Sequence, residues 1–404
     1  MRNVTEDLGW KEHFVRKGDG GGGWTVQESF YRMLHLEDYK TYDYLMPFGI
    51  VTMDNGELVL VASAEGSAKE PPERIWNPVM SFSRDKGDTW SRFELIPLEG
   101  NLSGAHIYHR PMVLACLGNG RLTFRVWDTS VEKNARFVSY DYGRTWKDKI
   151  YESASGDGKA LGTEGNPLVE LDSDGETVVI TELGCWVPPG YPQAATWEYF
   201  VRTRDFGRTW VEEHRPEEWI WQEECGGEVY TRSVSEGSLV RASNGWLVAA
   251  VRTDMPARYF DVPHDDSLEG TGVSISKDDG KTWSPMNILY DAGRHHTHLL
   301  LLPNGDIVMT LIVRDDIRNG KLASYRRGCE AIISHDNGLT WDIERKYVLD
   351  DFEYFGVRHG GDELFWVNGM TGHLYSALLD DGHIITAYGN YLARGASLIK
   401  WKAE

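Results

Sequence analysis

The chain has 404 residues and 42 Lys+Arg against 62 Asp+Glu, for a formal net charge of -20. An apolar fraction of 41% can bury a core, which excludes a disordered chain. The acidic field repels phosphate, so neither a nucleic acid nor an anionic membrane is an expected partner.

A length of 404 suggests two or three domains, unless the fold is one closed all-β unit. Apolar runs stay short of the ~18 residues a spanning helix needs. The opening stretch, MRNVTEDLGWKEHF, has no signal-peptide core. The expectation is a cytoplasmic chain as written, or a secreted or periplasmic one whose leader has been removed. Cys116, Cys185, Cys225 and Cys329 show no CxxC spacing. Free buried thiols are expected, with a single bridge left open.

In chain order, residues 1–23 end in the Gly-rich run GDGGGGW and read as a flexible lead-in. Residues 24–36, with TVQESFYRMLHL, read as a strand. Repeats organise the rest. The pattern S-x-D-x-G-x-T-W recurs as SRDKGDTW at Ser83, SYDYGRTW at Ser139, TRDFGRTW at Thr203, SKDDGKTW at Ser276 and SHDNGLTW at Ser334. Asp bonding backbone N–H groups and Gly at positive φ suit a tight turn, with the indole covering it. These aspartates are structural. A second repeat is an Asn-Gly or Asp-Gly turn between apolar strands, with its glycine at Gly56, Gly120, Gly175, Gly245, Gly305 and Gly382. It is the strongest short hairpin signal.

One unit is therefore a strand, the turn, two strands, the eight-residue pattern and a last strand. Six such units predict an all-β fold, a six-bladed β-propeller forming one domain over 1–404. The sixth unit lacks a strand, and residues 24–36 are expected to supply it and close the ring.

The turn glycine also serves as a ruler for the axis-lining strands. About nine to eleven residues before it lie Leu45-Met46-Pro47, His109-Arg110, Glu164-Gly165-Asn166, Glu236, His295-His296 with His298, and His373. Seven residues after it stand Glu182 and Arg252. Ionisable residues crowd a place where strands are otherwise apolar. His296 and His298 are expected on one strand face and His295 on the other.

These motifs resemble those of the sialidase (neuraminidase) superfamily, whose six-bladed propellers carry such repeats as Asp boxes (BNR repeats). In EGSLVRASNGWLVAAVR, Glu236 and Arg252 match the family's Glu and Arg of the fourth blade. Arg326 or Arg327 resembles a third arginine of its carboxylate-binding triad. The first blade offers LMPFGIV instead of an Arg-Ile-Pro motif, and Arg110 beside Pro111 could replace that arginine. The loop that should carry an acid/base Asp holds Glu65, Glu70 and Glu73. The nucleophile position falls on His373, with Tyr375 two residues on.

The resemblance implies a glycoside hydrolase acting on an anionic sugar, by a non-standard or inverting route. Glu236, Glu164, His373, His296, His109 and Tyr375 are the catalytic candidates. Arg252, Arg327, Arg326, Arg110 and His298 are the substrate-binding candidates. Two alternatives stand beside it, a lyase acting on uronic-acid glycosides and a non-catalytic carbohydrate-binding propeller. No cofactor is expected, and a divalent metal at the histidines is disfavoured. The expected partner is an acidic carbohydrate.

Overall fold

The computed structural model describes residues 9–35, 44–67, 74–102, 107–189, 195–262, 267–353, 371–390 and 395–404. These residues are almost wholly strand and turn, with one four-residue α-helical turn at Glu99–Leu102 and three short 3-10 turns. The chain is all-β, and its sheets are arranged like the blades of a propeller.

The first sheet runs Tyr44–Thr52, Leu58–Ser67, Arg74–Ser83 and Glu94–Leu95. The second holds Tyr108–Gly118, Arg121–Asp128, Lys133–Ser139 and Lys147–Tyr151. The third holds Leu168–Leu171, Val178–Trp186, Trp197–Thr203 and Glu212–His214. The fourth holds Glu228–Arg241, Leu247–Pro256, Ser267–Ser276 and Asn287–Tyr290, with Ile220–Cys225 added at its inner edge. All neighbours pair antiparallel, in the meander that the repeats predict.

Apart from a two-stranded hairpin of Asp316–Arg318 and Lys321–Ser324, the remaining strands form one nine-stranded sheet instead of two separate four-stranded ones. At one end is the meander Arg294–Leu301, Ile307–Val313, Arg326–Ser334, Tyr347–Glu353; at the other is Thr371–Leu378, His383–Asn390, Gly395–Lys402, Trp24–Leu34. The join is Lys11–Gly18, read from sequence as part of a lead-in and found as a strand. It pairs along its length with Trp24–Leu34 and, at Arg16 and Lys17, with Val348 and Tyr347. The glycine run is the turn of this hairpin, with Asp19 accepting from the Gly21 and Gly23 N–H groups at 2.7 and 2.9 Å. Trp24–Leu34 lies beside Gly395–Lys402, with Phe30 opposite Lys400 and Leu34 opposite Ala396.

Each eight-residue repeat is a locked turn. In the fourth, Thr282 N donates to Asp278 at 2.9 Å, Gly280 N to Ser276 Oγ at 2.7 Å, and the Trp283 indole to the Gly280 carbonyl at 3.0 Å. Asp279 and Gly280 both take positive φ, 61° and 90°, which is why glycine stands there. The core lies between sheets. Val248, Ala250, Val273, Met309, Leu311 and Ile332 interleave where the fourth sheet faces the next.

Candidate active site

The axis-lining strands do not run regularly at the site. Register breaks fall between Pro47 and Gly49, His109 and Met112, Ser235 and Ser238, His295 and His298, and Thr371 and Leu374. Such bulges re-aim side chains at a sheet edge. Glu236 and His296 sit at positive φ, 51° and 56°, each a strained position costing about 1–3 kcal/mol. Consequently His295 does not face away from its neighbour, as alternation predicts. His295 Nε2 lies 4.0 Å and His296 Nδ1 3.8 Å from the same Glu236 carboxylate.

Two Glu-Gly pairs bring the carboxylates together. A Cβ at Gly165 would collide with the Gly237 carbonyl, and one at Gly237 would meet Leu183 Cδ1 at 2.5 Å. Only glycine lets these strands approach so closely, and Glu164 and Glu236 are the residues just before them. Both line one cavity of about 300 Å³ with Arg252, Trp186, Ser235 and Cys185. All four cysteines are free thiols.

Arg252 Nη1 donates to Glu236 at 2.6 Å and its Nε to Asp254 at 3.0 Å. Burial pushes the Glu236 carboxyl up, but Arg252 and the adjacent histidines overrule it and hold it well below the usual carboxylate range. Glu164 behaves oppositely. Burial and then the Glu236 charge push it up to about 7, against Arg110, Arg252 and Arg314. Arg110 lies over the Trp76 ring at 4.4 Å, 3.7 Å from Glu65 and 4.0 Å from Glu164.

Three histidines cluster around Tyr375, two of them beside the cleft carboxylates. His373 Nδ1 lies 3.2 Å from His296 Nε2 and 3.5 Å from Glu164 Oε2. Burial depresses all three imidazoles, His298 to about 3, so they are neutral. Tyr375 packs against both His296 and His298, at 5.5 and 5.8 Å, and its hydroxyl donates to the Glu164 carbonyl at 2.6 Å. Tyr375 and His298 also line a second cavity of about 290 Å³, with Gly165 and Asn166.

The structure thus gathers Glu164, Glu236, Arg110, Arg252, His296, His298, His373 and Tyr375. His109 is half-buried and turned onto Trp76, with ring centroids 5.6 Å apart. Arg326 and Arg327 line a different cavity with Arg294 and Glu330. Arg327 is buried against Asp315 at 3.1 Å, and Arg326 pairs with Asp351 at 2.5 Å. The arginine that acts on the cleft from this part of the chain is Arg314. Its charge bears on Glu164, His295, His296 and His373, and it donates to Glu269 at 3.1 Å. Arg314 stands two residues past the ruler position, just beyond the strand Ile307–Val313, so an extended glycine spacing could have found it.

Glu182, at the ruler position of the third sheet, instead joins a buried ion-pair cluster with Arg136 at 2.7 Å. Glu65 is buried beside Arg110, whereas Glu70 and Glu73 lie outside the described residues.

No protein-family model matches the chain. A sialidase of Clostridium perfringens is 25% identical over 185 residues, 44% of this chain and 45% of its own length. The chain therefore matches under half of that relative. Among solved structures, the Hadza microbial sialidase Hz136 aligns at a TM-score of 0.60 and 14% identity, covering 94% of this chain and 70% of that one. An α-L-arabinanase of Penicillium chrysogenum, complexed with arabinobiose, aligns at 0.56 and 14%, covering 92% and 96%. In fold the chain is similar to these sialidase and arabinanase structures, and over 185 residues its sequence is similar to a sialidase.

Proposed function

We propose that the chain is a glycoside hydrolase acting on a sugar that carries a carboxylate. The observation that carries this reading is the shared cleft of Glu164 and Glu236, two carboxyls in unlike surroundings. Arg252 at 2.6 Å keeps Glu236 ionised, while Arg110 stands 4.0 Å from Glu164. One protonated and one ionised carboxyl are what acid–base cleavage of a glycosidic bond requires. Glu164 would protonate the leaving oxygen, and Glu236 would assist water on the opposite side of the sugar. The Tyr375 hydroxyl is committed to a backbone carbonyl, which favours attack by water over a tyrosyl intermediate. Trp186 in the lining offers a face for sugar C–H groups, and Arg110, Arg252 and Arg314 would meet the carboxylate.

The same reading takes the molecule as a six-bladed ring. Counting the nine-stranded sheet as two blades bridged by Lys11–Gly18 supports it. So does the packing of Thr371–Leu378 against both Arg294–Leu301 and Tyr44–Thr52.

A second reading is a lyase that abstracts a proton beside a uronic-acid carboxylate. The buried neutral His296 and His373 at the cleft favour it.

The test is product analysis on a panel of acidic and neutral aryl glycosides and acidic oligosaccharides. Hydrolysis gives a new reducing end, elimination a product absorbing in the near ultraviolet, and a lectin only binding. On the hydrolase reading Glu164→Gln and Glu236→Gln each lower kcat by about 10²–10⁴-fold. Unchanged turnover in either variant would overturn the assignment of that residue.

A further inference from the structure

We propose that Glu164, His296 and His373 bind one transition-metal dication of the zinc class beside the cleft. One donor atom from each residue falls in a group whose members all lie within 4.8 Å of one another. Two of the edges are 3.2 Å, from His373 Nδ1 to His296 Nε2, and 3.5 Å, from His373 Nδ1 to Glu164 Oε2. A tetrahedral ion with ligands at ~2.0–2.1 Å holds its donor atoms ~3.3–3.4 Å apart. Two edges of that polyhedron are therefore already in place before any ion enters.

The donors come from three separate parts of the chain. Glu164 precedes Leu168–Leu171, His296 lies on Arg294–Leu301, and His373 on Thr371–Leu378. Two imidazoles and a carboxylate form a borderline donor set that suits zinc, cobalt or nickel and not calcium or magnesium. Three protein ligands leave a fourth position for water or a sugar oxygen.

The surroundings hold the donors in place. The Phe48 ring lies 4.6 Å from His373, and Tyr375 lies 5.5 Å from His296 and donates to the Glu164 carbonyl. The far nitrogen of His296, Nδ1, stands 3.8 Å from the Glu236 carboxylate. A carboxylate behind a ligating histidine is the usual device for orienting it.

The ion would take the Glu164 carboxylate as a ligand. On the hydrolase reading, on which this consequence rests, the ion removes the proton donor and inhibits turnover.

The experiment is to strip the full-length protein with a chelator, then titrate it with Zn²⁺ by calorimetry and with Co²⁺ by visible absorption. Expected are one equivalent of either ion and the d–d bands of tetrahedral cobalt. His296→Ala and His373→Ala should each weaken binding at least ~100-fold, and Glu236→Gln by about tenfold. Near-ultraviolet dichroism checks the fold of each variant, with His296→Gln and His373→Gln used wherever the alanine variant unfolds. Binding that is absent, or equal in the wild type and the His296→Ala/His373→Ala double variant, overturns the site. Turnover raised by Zn²⁺ overturns the inhibitory role. A protein that binds zinc normally but cleaves no glycoside leaves the metal site standing and sinks the hydrolase reading alone.

Discussion

At the scale of single residues, Tyr375 separates two chemistries. As a nucleophile its hydroxyl would be indispensable. As placed, it donates to the Glu164 carbonyl and positions that residue's backbone. Tyr375→Phe is therefore expected to cost about 1–2 kcal/mol of stability, because a buried carbonyl loses its partner. Steady-state kinetics should show kcat within about tenfold of the wild type; a loss near the 10⁴-fold of a missing catalytic group would restore the nucleophile role. Most of the site was legible as spacing. Glu164, Glu236, Arg252, His296 and His373 all stand where the turn-glycine ruler places them, because each axis strand starts a fixed distance before its hairpin. Among the ruler positions His109 turns onto Trp76, strand alternation wrongly faced His295 away from His296, and the resemblance to a family pointed to Arg326 and Arg327 instead of Arg314. A bulge adds one residue and flips the face, and sequence carries no signal of where a strand will bulge. Arg327 is basic and near the expected place, but its charge is answered inside by Asp315 at 3.1 Å.

At the scale of elements, the repeated turns do two jobs that substitution can separate. Gly280 has φ +90°, and a Cβ there would meet the Phe200 ring of the preceding sheet at 2.5 Å. Gly56 has a similar φ, +81°, but nothing within 4 Å. Gly56→Ala should cost only the left-handed backbone penalty of about 1–2 kcal/mol. Gly280→Ala should add about 1–3 kcal/mol of overpacking. Equal urea midpoints for the two variants would show that the turn does not wedge the sheets apart.

Between the second and third sheets a buried cluster does the corresponding work with charge. Arg125 and Arg136 donate to Glu152 at 2.7 and 2.8 Å, and Arg136 to Glu182 at 2.7 Å. Burial alone would raise the Glu152 pKa, but Arg125 and Arg136 bring it below the ordinary value of 4.5. A depressed carboxylate stabilises the fold above its unfolded pKa, and this contribution fades as pH falls through the lower folded value. The melting temperature attributable to the cluster should thus hold from pH 7 to about 5 and fall in more acid solution. Glu152→Gln should flatten that acid limb while costing about 3–5 kcal/mol at pH 7, since two arginines lose their buried counter-charge. An acid limb unaltered in Glu152→Gln would place the sensitivity elsewhere.

For the whole molecule, the two ends of the chain meet in one sheet. Lys11–Gly18 and Trp24–Leu34 cover the edge of Gly395–Lys402 and link it to Tyr347–Glu353. Deleting residues 1–34 should uncover that edge strand and promote edge-to-edge association. Scanning calorimetry should show a lower, less cooperative transition, and size-exclusion chromatography should show oligomers. A truncated monomer melting like the full chain would mean that these strands do not hold the sheet together.

The sequence by itself determined the all-β class, the repeat order and the turns, because Asn-Gly, Asp-Gly and the Ser-Asp-Gly-Thr-Trp pattern act through local backbone geometry. Only the tertiary structure decided that Lys11–Gly18 joins the sheet to Tyr347–Glu353, since that pairing spans more than three hundred residues. It alone decided which ionisable residues share the cleft. Side-chain direction there is set by bulges and by the close approach of Gly165 to Gly237, both of which arise from contacts between sheets.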